Sequence, residues 1–285
     1  MKHYLTTKKG SCDFSGDKLL SFTQIQNMRR LACGFLIVMV SCNNATSVIN
    51  MNGAYTTLKQ NFKGSGIDTT STETRQLKIY ADSVMMYVLL NPSQDVSAFA
   101  VGKFSIDSGK LIEHIAYNAT ENLQSLDVFS DTVNINKNDT GYVQTSTKIS
   151  DKGEIKITEI YQSTATNNAS IIDGIWKQVS SYALRGSDTI KHKDIEYKAF
   201  YAGNFSYGDY YTDSLQQQRT GISYGTFSID SSNNLIETIT ISTWPELNNK
   251  TFVLSITKNG SGSFTQTATN ATGDKEISVY ERVKP

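Results

Sequence analysis

Cysteine is scarce in this 285-residue chain and sits where it cannot staple a fold. Cys12, Cys33 and Cys42 are the only three, and none occurs in the 243 residues that follow. A disulfide framework, a cysteine nucleophile and a Cys-rich metal site are thereby excluded from the body. Histidine is equally sparse: His3, His114 and His192 are too few for a His-rich catalytic metal centre. Excess charge of one sign is missing as well, with 27 Lys+Arg against 27 Asp+Glu. Without a basic surplus there is no footprint for a phosphate backbone, so nucleic acid is not an expected partner. The chain also lacks a phosphate-cradling glycine loop, a Gly-X-Ser-X-Gly elbow and a metal motif of recognised spacing. No nucleophile, base and orienting group can be assembled, so the expectation is a non-enzyme with no catalytic residues, no metal and no cofactor.

What is present begins at the N-terminus. Met28-Arg29-Arg30 precedes the uncharged run from Leu31 to Val40, followed by Ser41-Cys42. The run is far short of the roughly 20 residues needed to span a bilayer. This order resembles a bacterial lipoprotein signal, with Met39-Val40-Ser41-Cys42 in the place of the lipobox and Met39 where leucine is usual. The resemblance implies that Cys42 is lipidated, that residues 1–42 are a signal region, and that residues 43–50 tether the body to the outer membrane of the cell envelope. Membrane contact is then through the anchor alone. The polar stretch 1–27 is foreign to such a signal, and the expectation is that translation starts at Met28. From Cys42 onward 21 basic residues face 25 acidic ones, a mildly acidic body.

Helical periodicity is nearly absent from that body, which reads as short β-rich stretches punctuated by Gly, Asn, Asp and Ser. It is also written twice. Val101-Gly102-Lys103-Phe104-Ser105-Ile106-Asp107-Ser108 and Leu111-Ile112-Glu113-His114-Ile115 recur as Tyr224-Gly225-Thr226-Phe227-Ser228-Ile229-Asp230-Ser231 and Leu235-Ile236-Glu237-Thr238-Ile239. The residues between are turn formers, so each copy reads as one hairpin. Gly53-Ala54-Tyr55 and Gly174-Ile175-Trp176 open the halves; Ile160-Tyr161 and Val279-Tyr280 close them. Two domains follow, 51–163 and 172–285, joined by a polar linker at 164–171. In the second, eight strands are expected: Ile175–Tyr182, Ile195–Ala202, Ser206–Thr212, Thr220–Ile229, Asn234–Thr243, Thr251–Thr257, Ser261–Thr267 and Lys275–Val283. Eight is the count of a small antiparallel barrel.

Gly174-Ile175-Trp176, the eight-strand count and the ending Tyr280-Glu281-Arg282-Val283 together resemble the lipocalin-like (calycin) barrels, in particular lipoprotein versions of the Bacteroidota type. The resemblance implies an all-β chain of two tandem eight-stranded antiparallel β-barrels after the lipoprotein signal. It also implies that Trp176 packs against Arg282 across a closed barrel end, a structural pair that suits an indole face and a guanidinium. The first half departs from it, with Tyr55 for the Trp and Gln162 near the Arg position. The family's cup implies a non-catalytic protein holding one small apolar or amphipathic ligand. The alternative is a structural or interaction protein with filled barrels, binding protein or glycan through an exposed aromatic face.

Glu113 and Glu237, at equivalent places in apolar stretches, are anchors for a ligand hydroxyl or amine if they face the lumen; strand alternation also allows them the solvent side. His114 points to the opposite face from Glu113. Tyr201 and Tyr207, in the aromatic segment Phe200–Tyr211, line a barrel mouth, stack on sugars, or stabilise a hairpin through cross-strand pairs. Trp244, before Pro245, marks a loop tip that is a binding cue if exposed and a plug if buried.

Overall fold

The computed structural model describes residues 49–120, 123–125, 129–150, 153–166 and 169–285. The lipobox, Cys42 and most of the 43–50 tether lie outside the described residues. The described chain folds as two closed eight-stranded antiparallel β-barrels in tandem.

The first barrel is built from β1 (Gly53–Gly64), β2 (Ile67–Ser71), β3 (Arg75–Ala81), β4 (Val84–Asn91), β5 (Val96–Asp107), β6 (Lys110–Thr120), β7 (Leu123–Ser125), β8 (Phe129–Asn138), β9 (Gly141–Ser150) and β10 (Gly153–Ser163). Strands β1, β3, β4, β5, β6, β8, β9 and β10 form the wall, and β10 pairs back onto β1 to close it. The short β2 pairs with the distal half of β1, and β7 with the end of β6.

The second barrel repeats the plan with β11 (Gly174–Arg185), β12 (Asp188–Lys191), β13 (Ile195–Tyr201), β14 (Asn204–Thr212), β15 (Gln218–Ile229), β16 (Asn234–Ser242), β17 (Thr251–Lys258), β18 (Ser263–Thr269) and β19 (Lys275–Arg282). Here β19 closes onto β11, and β12 pairs with the distal half of β11.

The repeated hairpins are β5–β6 and β15–β16. Both carry a bulge at the same place, after Val101 in one and after Tyr224 in the other. The glycine at each bulge explains why it recurs. A Cβ on Gly102 would stand 2.1 Å from the His114 carbonyl oxygen, and one on Gly225 2.0 Å from that of Thr238. A side chain there would push the paired strand away and straighten the bend that helps the sheet close. The second hairpin turns on Asp230, whose carboxylate accepts from the Ser232 and Asn234 amides at 2.8 Å each.

Two of the three apolar clusters fill the barrels. Tyr55, Tyr80, Met85, Leu111, Val133, Tyr142 and Tyr161 occupy the first; Trp176, Phe200, Phe205, Phe227, Leu235, Phe264 and Tyr280 occupy the second. The third cluster lies between the barrels. On β3, Gln76, Lys78 and Tyr80 point inward while Leu77, Ile79 and Ala81 point outward, as the two-residue pleat demands. On β13, Lys198 and Phe200 point inward while Tyr197 and Ala199 point outward. The outward sets meet, and β3, β4 and β5 each touch their own counterpart, β13, β14 and β15. Phe99 lies against Tyr197 with centroids 6.2 Å apart. A Cβ on Gly208 would stand 2.4 Å from the Phe99 ring. Ser97 Oγ donates to the Thr220 carbonyl at 2.8 Å, and Thr220 Oγ1 to that of Thr120 at 2.7 Å. The linker is held by both sides: the Thr164 amide donates to the Ala54 carbonyl, and the Thr166 amide to that of Ala202, each at 2.9 Å.

Candidate functional site

The second barrel is plugged at one end. Trp176 is buried there and its indole N–H donates to the Ile172 carbonyl at 2.8 Å. The Arg282 guanidinium lies 4.5 Å from the Trp176 ring centroid, donates to the Asp173 carbonyl at 2.7 Å, and reaches Asp82 of the first barrel at 3.7 Å. The glycine of the Gly-Ile-Trp triplet is what leaves room for this. Gly174 has φ +137°, and a Cβ on it would stand 2.2 Å from Arg282 Nη1. Gly174→Ala is therefore expected to lower stability by about 1–3 kcal/mol through strain and displacement of Arg282. Urea denaturation checks it, an unchanged midpoint counting against this account. At the equivalent end of the first barrel the register sets Ser163, one residue beyond Gln162, opposite Tyr55. No arginine is there, and the Tyr55 ring instead folds back over Gly53 and meets Tyr142 edge-on at 5.0 Å.

Above each plug lies a charged layer. Both glutamates face the lumen, and each is bound by a lysine. Lys78 Nζ donates to the two Glu113 oxygens at 3.0 and 3.3 Å, and Tyr80 donates its hydroxyl to the same carboxylate at 2.5 Å. Lys198 Nζ donates to Glu237 at 2.8 Å and to Gln266 Oε1 at 3.0 Å. It also lies 5.8 Å from the Tyr280 ring centroid and 5.9 Å from that of Tyr207. The two lysines occupy equivalent places on β3 and β13. Sequence reasoning passed over them, although a lysine at the same position of both copies, inside otherwise apolar strands, was a readable signal.

The halves then diverge. Gln76 of the first barrel accepts from Tyr161 at 2.7 Å and Thr57 at 3.1 Å, and Gln76, Lys78, Glu113 and Gln144 are all buried. Glu196 replaces Gln76 in the second barrel. Its carboxylate accepts from the Tyr280 hydroxyl and from Gln178 Nε2 at 3.0 Å, and burial holds its pKa above the usual carboxylate value against the pull of Lys198. Glu196, Gln178, Tyr207 and Gln266 are only half-buried. Glu196, Glu237 and the buried Asp209 outnumber Lys198, giving the cup a negative interior.

Aromatic rings stand at that mouth. Trp244 lies over Gly221, where a Cβ would meet the indole at 2.1 Å. Its ring is 6.2 Å from Tyr207 and 6.0 Å from Tyr211. Trp244 is thus a half-buried cover across the lumen. Tyr201 is not brought to the cup: it points outward and packs against the cluster between the barrels. Phe200 and Phe205 do form a stacked cross-strand pair, with centroids 6.4 Å apart. His114 is exposed, 2.6 Å from Ser130 Oγ, and His192 sits 3.0 Å from Glu276, so neither joins the lumen. Among the described residues no three His, Cys, Asp or Glu side chains gather as metal ligands.

No described protein family matches the sequence, and no curated protein matches it. A crystal structure of a protein of unknown function from the DUF3598 family of Nostoc punctiforme PCC 73102 is similar over 82% of this chain and 96% of the other, with 11% sequence identity and a TM-score of 0.25.

Proposed function

We propose that this is an exported, non-catalytic binding protein, anchored through Cys42, whose second barrel holds one small amphipathic molecule. The first barrel is a packed scaffold. The observation that carries the reading is the contrast at two equivalent positions: Gln76 and Gln144 of the first barrel are buried, whereas Glu196 and Gln266 of the second are half-buried. A negative lumen covered by Trp244 and flanked by Tyr207 and Tyr211 suits a ligand with an amine or other hydrogen-bond donor at its inner end and an apolar body at the mouth. The lysine and glutamate of each layer satisfy each other, which favours holding a ligand over transferring a proton.

Native mass spectrometry of the protein from its own host tests this. The expected result is one co-purifying small molecule per chain, lost when Glu196→Gln and Trp244→Ala are combined. A spectrum without added mass, or retention by the double variant, would overturn it. Radiolabelled palmitate should enter the wild-type chain and not Cys42→Ala; equal labelling would remove the anchor from the proposal.

A further inference from the structure

A cavity lies outside both lumens. It is a crevice of about 630 Å³ between the barrels, walled by β5 and β6 on one side and by β11, β13, the end of β19 and the chain after it on the other. We propose that this crevice is a second binding site, for an amphiphile with an aromatic or acyl body and an anionic head. The proposal stands independently of the ligand in the cup.

Three features argue for it. First, the volume falls in the range of about 300–1,000 Å³ typical of ligand pockets. Its floor is apolar and aromatic: Tyr117 and Tyr197 lie 5.3 Å apart with planes tilted by 36°. At the rim, the bulge between Gln178 and Ser180 turns Val179 outward, leaving it 49% exposed. Such a side chain costs solvation when nothing covers it.

Second, the crevice is basic. Lys103, Lys177 and Lys284 line it and are exposed, and none makes an ion pair among the described residues. Lys177 Nζ stands 5.9 Å from the Tyr197 centroid, placing a cation at the edge of the aromatic floor. Arg282 also lines the crevice but is committed to Trp176 and Asp173, and Glu281 is the one lining carboxylate. This sign is opposite to that of the cup, so one molecule does not suit both.

Third, Tyr117 is buried in the lining and its hydroxyl has no hydrogen-bond partner among the described residues. A buried donor left unmade is costly, and a small shift of the Tyr117 ring toward the crevice would let a ligand oxygen satisfy it. The same residue packs on Phe99 at 5.5 Å, which fixes its ring as part of the crevice's apolar floor.

The probe for the test is 1-anilinonaphthalene-8-sulfonate, an aromatic sulfonate, titrated into the full chain and followed by fluorescence. One saturable site is expected. The variant Lys103→Glu/Lys177→Glu/Lys284→Glu changes only exposed side chains and should weaken binding at least about tenfold, with strong salt dependence in the wild type. Ala116→Trp, which fills the crevice from its lining, should abolish it. Trp244→Ala, at the cup, should have no effect. Binding within about twofold of wild type in the triple lysine variant, or undiminished in Ala116→Trp, overturns the proposal. So does loss of the probe in Trp244→Ala alone, which would place it in the cup.

Discussion

Lys198→Met is expected to destabilise the protein by about 3–5 kcal/mol, the cost of leaving a buried carboxylate without its counter-charge. Glu237 has a side chain 8% exposed and, among the described residues, Lys198 as its only hydrogen-bonding side chain, so removing the ammonium strands the charge. Lys198→Met/Glu237→Leu should recover most of the loss, because an apolar pair of similar volume avoids desolvating two ions. Lys78→Met should cost less than Lys198→Met. Glu113 keeps the Tyr80 hydroxyl as a donor after the lysine is gone. Chemical denaturation of the four proteins checks the order. Equal losses in the two lysine variants would show that the tyrosine does not share the charge, and a double variant no better than Lys198→Met would show that the pair is not what the barrel interior depends on.

Phe99→Ala is the second large effect, about 3–5 kcal/mol for deleting a fully buried phenylalanine. Its place between the barrels gives the loss a particular form. The ring touches Tyr117 in its own barrel and Tyr197 and Gly208 in the other, so the cavity opens in the joint. Calorimetry of the wild type should show one cooperative transition, and Phe99→Ala should split it in two as the barrels melt separately. A single unsplit transition at the wild-type midpoint would contradict the view that this cluster couples them.

These two sites show unequally in the sequence. The strands of the second half were legible because turn formers bound each one, and the expected ranges fall within a few residues of β11 and β13 to β19. The duplicated hairpin was legible because both copies keep a bulge glycine that backbone geometry requires. Lys78 and Lys198 were not, since a lysine in a strand ordinarily marks the solvent face and only a partner on another strand reverses that. Glu113 and Glu237 were visible but ambiguous for the same reason: face is decided by register across the barrel, which local pattern does not contain. The contact between barrels left a trace that was passed over. Val84-Met85-Met86-Tyr87-Val88-Leu89-Leu90 is apolar without alternation, the mark of a strand covered on both sides. Tyr201 was read as a mouth, sugar-stacking or hairpin residue, and it belongs instead to the covered outer face of β13.

The meeting of β3, β4 and β5 with their own counterparts has an evolutionary meaning. Like on like is the rule of a two-fold axis, where a surface patch must complement itself. A symmetric pair of identical barrels would be bound to use one residue type on both sides of that axis. Joined in one chain, the copies are released from the rule, and this joint uses the freedom. Phe99 is accommodated by Gly208, whereas the symmetry-related positions hold Ile222 and Val88. A large residue over a small one on one side is balanced by two middling ones on the other. Each copy has thereby become the wrong partner for a second copy of itself, which favours the internal pairing over assembly between chains.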